Sequence, residues 1–549
     1  MRNVFQHEIH TDVQARTSLT LDAISRLDRD VSTALATIRE RRNSFVCVNR
    51  IPLEVLSLIP VHLPSQKDRF RVSSVCRHWR RTFLQHGALW SQLFPEKGEA
   101  YTKTLLGRAG GSPLDIIIGP NAPVETRAML YPRARQIKHL QFIRSRWTDI
   151  REFSESVSGP LPLLRTLKIA PVEPYEAHGG QPDASIPAPS LPFFRTAVNL
   201  EEFTFHSELF WFLGYFAFPN LTTFELATAP EVDFNASGLL DFLTASPMLR
   251  TVQIRVLADA VLMEGTRQES IVALPKVETF SLTVSIGTIF YDIATHISCP
   301  RARKTLLQRE IDENGIATGL EIFPCSVSWN AIVHQYTRSP VEEISLEIEI
   351  HPDPHLTGYL TFRSFDMTVI TLAFQVSNTC EDVEDLEVVI EELGCEVFGQ
   401  ASRIIRDHPL ISEVKVLQIK YADAFSQDDC LRRAADEFGR LFKSLGPLDA
   451  LSIHSHDPRS YLAPFLGDDE FDGTEYPIVY PPIKDLKILD PWMIFSKVEC
   501  LAAIVTFAQS QHERGVPFES VTLCIRDLPV EIVEKLRQWV RTVVCEELR

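Results

Sequence analysis

Residue types that could hold a metal or act as a nucleophile are present in this chain, but their spacing does not assemble a site. Asp468, Glu470, Asp472 and Gly473 follow the opening of a calcium-binding loop, whose twelfth position must supply a bidentate carboxylate. That position is Val479, so the calcium reading fails. His454 and His456, with Asp457 beside them, stand just past an expected strand, where two imidazoles can point the same way. A zinc site needs at least a third protein ligand, and none is near in sequence, so these read as loop histidines. The ten cysteines at 47, 76, 299, 325, 380, 395, 430, 500, 524 and 545 include no CxxC pair. They read as reduced, mostly buried thiols rather than a zinc module or a dithiol redox site. Phosphate-loop, dinucleotide, nucleophile-elbow, metalloprotease and kinase signatures are missing. The cluster Leu106-Gly107-Arg108-Ala109-Gly110-Gly111 lacks a phosphate-loop lysine and reads as a turn into a strand over Leu114–Ile118. The expectation is a non-catalytic protein with no catalytic residue, no cofactor and no metal ligand.

The chain therefore has to act through its surfaces. Its 549 residues exceed a typical domain several-fold, so several domains or a long repeat array are expected. At 45% hydrophobic and 23% charged residues, there is ample material for a core. The net charge of −17 is unevenly placed: residues 1–110 hold 17 Lys/Arg and 10 Asp/Glu, the remainder 38 and 62. A basic head on an acidic body suggests two parts with different partners. The acidic body argues against nucleic acid, whose binding rests on neutralising phosphates. The longest nearly continuous apolar run, Leu209 to Pro219, is too short for a membrane helix of about 20 residues. The first residues, MRNVFQHEIHTD, do not read as a secretory signal. A soluble, cytoplasmic and/or nuclear protein without membrane contact is expected.

Residues 18–45 read as one helix. Leu21, Ile24, Val31, Leu35, Ile38 and Phe45 recur at 3–4 spacing, a coiled-coil-like stripe interrupted by Asp28 and Arg42. Such a stripe serves either dimerisation or docking on the rest of the same chain. Residues 51–90 read as three short helices. Pro52 suits a first helical turn, and Val55, Leu56, Ile59 and Leu63 follow on one face. Pro64-Ser65 makes a break, a second helix runs over 66–74, and a third carries Val75, Cys76, Trp79 and Phe83 before Leu89-Trp90 closes the unit. About 40 residues make too small a unit to be comfortably stable alone. Apolar residues left over from its core are therefore candidates for a docking surface.

These blocks resemble the F-box motif, whose pattern opens L-P-x-E-[IVL]-L, continues L-P-x-x-D and closes V-C-[RK]-x-W-[RK]. The chain has Ile51-Pro52-Leu53-Glu54-Val55-Leu56, then Leu63-Pro64-Ser65-Gln66-Lys67-Asp68, then Val75-Cys76-Arg77-His78-Trp79-Arg80. Ile51 replaces the usual Leu at similar volume, and Pro60 falls where a helix former is normal, which kinks or shortens the first helix. The resemblance implies insertion into a Skp-type adaptor, which connects to a cullin scaffold and a RING–E2 pair. It assigns Pro52, Leu53, Val55, Leu56, Ile59 and Leu63 to a first apolar ridge, with Pro64, Val75, Cys76 and Trp79 at further motif positions. Val75, Cys76 and Trp79 could face the partner or the small core; for Trp79 the core is the favoured reading. Lys67, Arg69, Arg71, Arg77, Arg80 and Arg81 could steer an acidic adaptor or simply form a solvated face.

Beyond residue 110 a six-residue phrase recurs, apolar at its first, fourth and sixth places. It occurs at Ile137–Phe142, Leu164–Ile169, Leu200–Phe205, Leu221–Leu226, Leu249–Ile254, Val277–Leu282, Val341–Leu346, Val414–Ile419, Leu448–Ile453, Ile483–Ile488 and Phe518–Leu523. Most steps between phrases are 21 to 36 residues, with two of 64 and 73 that fit doubled or degenerate units. The series is similar to an irregular leucine-rich-repeat array with interrupted curvature. Helices over Gly238–Ala245 and Cys430–Leu445 would return the chain, and a further helix is expected over Asp382–Asp407. Residues 171–192 and 457–482 read as loop insertions.

The expected fold class is α/β: an N-terminal helix (1–45), a three-helix F-box (46–95), and a leucine-rich-repeat-like solenoid of short parallel strands (96–549). The layout is similar to F-box receptors of mushroom-forming fungi, which also begin with a heptad helix. It implies the substrate-recognition subunit of an SCF-type ubiquitin ligase, with an unknown protein substrate. A protein-interaction scaffold outside ubiquitination is the alternative.

Overall fold

The computed structural model describes residues 2–63, 65–157, 159–171, 197–206, 217–228, 236–256, 271–284, 293–311, 341–350, 355–364, 369–377, 399, 401–406, 413–422, 437–455, 481–490, 497–525 and 528–546. They group into two compact units, Met1–Leu164 and Arg165–Arg549.

The first unit opens with helix α1 (Arg2–Ser44), longer at its start than the stripe implied. A 3-10 turn (Cys47–Arg50) leads to α2 (Leu53–Leu58), a second 3-10 turn (Ile59–His62), α3 (Gln66–Val72) and α4 (Arg77–Gln85). Pro60 explains the short α2. Proline has no N–H to give to Leu56, so the Ile59 N–H bonds to the Leu56 carbonyl instead and the chain tightens into the 3-10 turn. A 3-10 turn (Gly87–Trp90), strand β1 (Gln92–Leu93) and helix α5 (Glu99–Ala109) follow. Gly107, expected in a turn, belongs to α5, and it is Gly110, at φ +58, that stops the helix. Next come β2 (Leu114–Ile118), α6 (Val124–Ala128), β3 (Ile137–Ser145) and α7 (Trp147–Ser156). β1, β2 and β3 pair in parallel, so the unit continues past residue 95. Buried Arg127 of α6 bonds Asp149 at 2.7 Å and Glu152 at 2.9 Å on α7, which meets its charge inside the fold.

The second unit is built on strands β4 (Thr166–Pro171), β5 (Glu202–His206) and β6 (Thr223–Thr228), helix α8 (Ala236–Thr244), then β7 (Thr251–Val256), β8 (Val272–Ala273), β9 (Thr279–Val284), β10 (Ile297–Ser298) and β11 (Lys304–Ile311). It continues with β12 (Val341–Ile350), β13 (His355–Ser364), β14 (Val369–Ser377), β15 (Val416–Ala422), β16 (Leu448–Ser455) and β17 (Ile483–Asp490). Helix α9 (Lys497–Glu513), β18 (Ser520–Ile525), helix α10 (Val530–Trp539) and β19 (Thr542–Cys545) complete it. β4, β5, β6, β7, β9 and β11 pair in parallel one after another, and β12, β15, β16, β17, β18 and β19 do the same. Each of the eleven phrases contains strand residues.

The phrase works because its fourth and sixth residues fall on the same side of a strand. The fourth residues Leu167, Phe203, Phe224, Val252 and Phe280 stand in register, as do the sixth residues Ile169, Phe205, Leu226, Ile254 and Leu282. All ten are buried, and each such side chain contributes about 1.5–3 kcal/mol of burial. The first apolar residue closes a repeated turn: the N–H groups of Leu164, Leu200, Leu221, Leu249 and Val277 bond the carbonyls of Leu161, Ala197, Phe218, Ser246 and Leu274. A stack of rings, Phe203, Phe218, Phe224 and Phe242, joins the sheet to α8.

The two long steps have different causes. The first contains β11, whose phrase is degenerate: Thr305, buried, takes the place in register with Phe280. The second departs from the expectation of parallel strands throughout. β12, β13 and β14 form an antiparallel meander, with β14 beside β11 and β12 beside β15, so the spatial order there is β11, β14, β13, β12, β15.

Of the expected helices, Gly238–Ala245 corresponds to α8, and residues 437–444 and 401–406 are helical. The remainder of the other two expected helices, most of both insertions, and His456, Asp457 and the 468–473 acids lie outside the described residues. His454 is half-buried on β16. Among the described cysteines, Cys299 and Cys524 are buried, while Cys47 and Cys545 are exposed and Cys76 is half-buried. Burial pushes both buried thiols up, Cys524 to about 11 with the carboxylate of Glu546 adding to the effect. No group of three metal-ligating side chains occurs among the described residues, and no helix there is long and apolar enough to cross a membrane.

Candidate functional site

The three short helices after α1 close a small core with few residues. Leu56, Phe83, Leu89, Trp90 and Leu93 are all buried. Phe70 meets Trp90 at 5.1 Å between ring centres, and the Trp90 indole N–H donates to the Phe83 carbonyl at 2.8 Å. Arg108 of α5 lies over the Trp90 ring at 4.8 Å, a cation–π contact that also shields the ring from water. Gln66 ties the helices to the sheet: its amide donates to the Gln92 carbonyl at 2.9 Å and its oxygen accepts from the Tyr101 hydroxyl.

Ser65 caps α3. Its hydroxyl accepts from the Asp68 N–H at 3.1 Å and donates to the Asp68 carboxylate at 2.6 Å, and Arg71 holds the same carboxylate at 3.0 Å. These bonds favour the ionised form and keep the Asp68 carboxyl below its usual range. The cap fixes where α3 starts, and so where the chain turns between α2 and α4.

With that core filled, several apolar side chains are left outside. Leu53 is 49% exposed, Val55 50%, Leu58 54% and Val75 62%. Pro52 is exposed, and Ile59, Leu63 and Cys76 are half-buried. Leu56, grouped with them in the sequence, is the one that turns fully inward. In its place the structure exposes Leu58, which the motif did not single out. Pro64 lies outside the described residues.

Trp79 packs against the edge of the core. It is half-buried, its ring meets Phe83 edge-on at 5.6 Å, and its indole N–H donates to the Asn49 Oδ1 at 2.6 Å. Around the apolar residues, Lys67, Arg71, Arg77, Arg80 and Arg81 are exposed and Arg69 is half-buried. Among the described residues Asp68 bonds Arg71, and Glu40 approaches Arg77 at 3.8 Å. The surface offers apolar side chains to a groove and positive charge to an acidic rim.

No curated protein matches the chain. Residues 48–96, which span these helices and β1, match a family model described as F-box-like, so the chain carries an F-box-like domain, as an F-box protein does.

Proposed function

We propose that this chain is the substrate-recognition subunit of an SCF-type, cullin-RING ubiquitin ligase, working in the cytoplasm and/or nucleus. The observation that carries the reading is the set of exposed apolar side chains Leu53, Val55, Leu58 and Val75 beside a core of Leu56, Phe83, Leu89, Trp90 and Leu93, within the F-box-like match. These residues, with Pro52, Ile59, Leu63, Pro64 and Cys76, enter the groove of a Skp-type adaptor, which carries the cullin and RING subunits. The basic side chains around them steer the adaptor's acidic surface.

In this reading residues 1–45 are an N-terminal helix and 46–95 the F-box. Residues 96–549 are a leucine-rich-repeat-like solenoid that binds a target protein, supported by the repeated turn-and-strand unit and its registered apolar rows. The receptor is not itself an enzyme. It raises the effective concentration of a target lysine near the charged E2.

A second reading, an interaction scaffold outside ubiquitination, draws on one observation: α2 is only six residues long before the Pro60 turn. Affinity purification of the full chain separates the two. Recovery of adaptor together with cullin supports the receptor, adaptor without cullin supports the scaffold, and recovery of neither overturns the receptor.

A further inference from the structure

Helix α1 carries an apolar face that no described residue covers. Leu21, Ile24, Leu27, Val31, Leu35 and Ile38, with Phe45 directly after the helix, are each 47–65% exposed. Near its C-terminal end the other side of the helix meets its own unit, where Glu40 approaches Arg77 at 3.8 Å and the Asn43 carbonyl accepts from Asn49 at 2.7 Å. Self-docking, one of the two readings of the stripe, is therefore not the arrangement among the described residues. A lone helix in water gains most of its stability from packing an amphipathic face. This face needs an occupant.

We infer that the occupant is a second copy of α1 in antiparallel orientation. Ile24, Val31, Ile38 and Phe45 form a row with a step of seven, flanked on one side by Leu21, Asp28, Leu35 and Arg42 and on the other by Leu27, Ala34 and Arg41. A step of seven is the seam of a helix pair. The charges set the direction. In a parallel pair each residue meets its own counterpart. If the Asp28 row enters the seam, Asp28 then faces Asp28 and Arg42 faces Arg42; if the other row enters, Arg41 faces Arg41. Like charges in a seam are a device that rejects a pairing.

Turning one helix end for end about an axis at Leu35 still lays the apolar row along the apolar row, Ile24 coming near Phe45 and Val31 near Ile38 of the second copy. It brings Leu35 to Leu35 at the two-fold axis and Asp28 to Arg42, twice by symmetry, as an isologous interface requires. The two seam charges, which interrupt the stripe in a single helix, become complementary in this one orientation.

Sedimentation equilibrium of the full chain tests the pairing, with Ile38→Glu, Asp28→Arg, Arg42→Asp and the double exchange Asp28→Arg/Arg42→Asp. All of these positions are exposed, where substitutions seldom disturb folding. The expected result is a wild-type dimer, a monomeric Ile38→Glu, and about tenfold weaker dimers for each single exchange. The double exchange should return to within about threefold of wild type, because swapping the two charges restores opposite signs across the seam only when the helices are antiparallel. A monomeric or trimeric wild type overturns the inference, as does a dimer that the double exchange fails to restore.

Discussion

The indole N–H of Trp79 on α4 donates to the side-chain oxygen of Asn49 at 2.6 Å, so one bond ties the last F-box helix to the 3-10 turn after α1. The partners are 30 residues apart in sequence, and the bond closes the unit across α2 and α3. Trp79→Phe keeps the edge-on contact with Phe83 and leaves Asn49 without its donor. The expected loss is about 1 kcal/mol, against about 3–5 kcal/mol for Trp79→Ala, which also opens a cavity. Thermal unfolding followed by tryptophan fluorescence checks the order; equal losses would remove the bond from the account.

Ser65 and Asp68 make a linked prediction in pH. The folded Asp68 carboxyl lies below its usual value of 3.8, held there first by the Ser65 hydroxyl and then by Arg71. A depressed carboxyl stabilises the fold fully above the unfolded value and loses that contribution as pH falls through the folded one. Ser65→Ala should therefore raise the Asp68 titration toward 3.8 and cost about 1 kcal/mol at neutral pH through the lost cap. NMR titration of the Asp68 carboxyl reads the first effect, and an unchanged midpoint would contradict it.

Thr305 is the weak place in the repeated core. It sits buried in register with Phe280 and Ile370, and its hydroxyl has no hydrogen-bond partner among the described residues. Thr305→Val keeps the shape and removes the unpaired polar group. The expected gain is about 1 kcal/mol, seen as a higher midpoint in urea. A loss would mean that the hydroxyl is bonded in solution.

Pro60 sets the length of α2. Pro60→Ala supplies the missing N–H toward Leu56 and lets the Ile59–His62 turn continue as α-helix. The chain's helix content should rise slightly by circular dichroism, and adaptor affinity should increase. Unchanged binding would show that the 3-10 turn is the functional form.

Much of this architecture was legible because the repeated phrase ties spacing to burial. Leu167, Phe203 and Phe224 could be assigned to one buried row from alternation alone, and the strand at Leu114–Ile118 has the expected bounds. The antiparallel meander was not legible, since His355–Ser364 alternates with the same period of two whichever way its neighbours run. β11 escaped because Thr305 breaks the apolar phrase while still packing inward. In the F-box-like unit the motif picked out Leu53, Val55 and Val75, which are exposed, but could not orient every residue of α2. A six-residue helix has too few turns to tell Leu56, which is buried, from Leu58, which is 54% exposed.

The proposed adaptor-docking surface is tested most directly by calorimetry of the full chain with a Skp-type adaptor, comparing wild type with Val55→Asp/Leu58→Asp. Both positions are exposed, so the double variant should keep its melting temperature and lose at least about 100-fold in affinity, as central apolar contacts do. A wild type that does not bind, or a double variant that binds as tightly as wild type, would contradict the account.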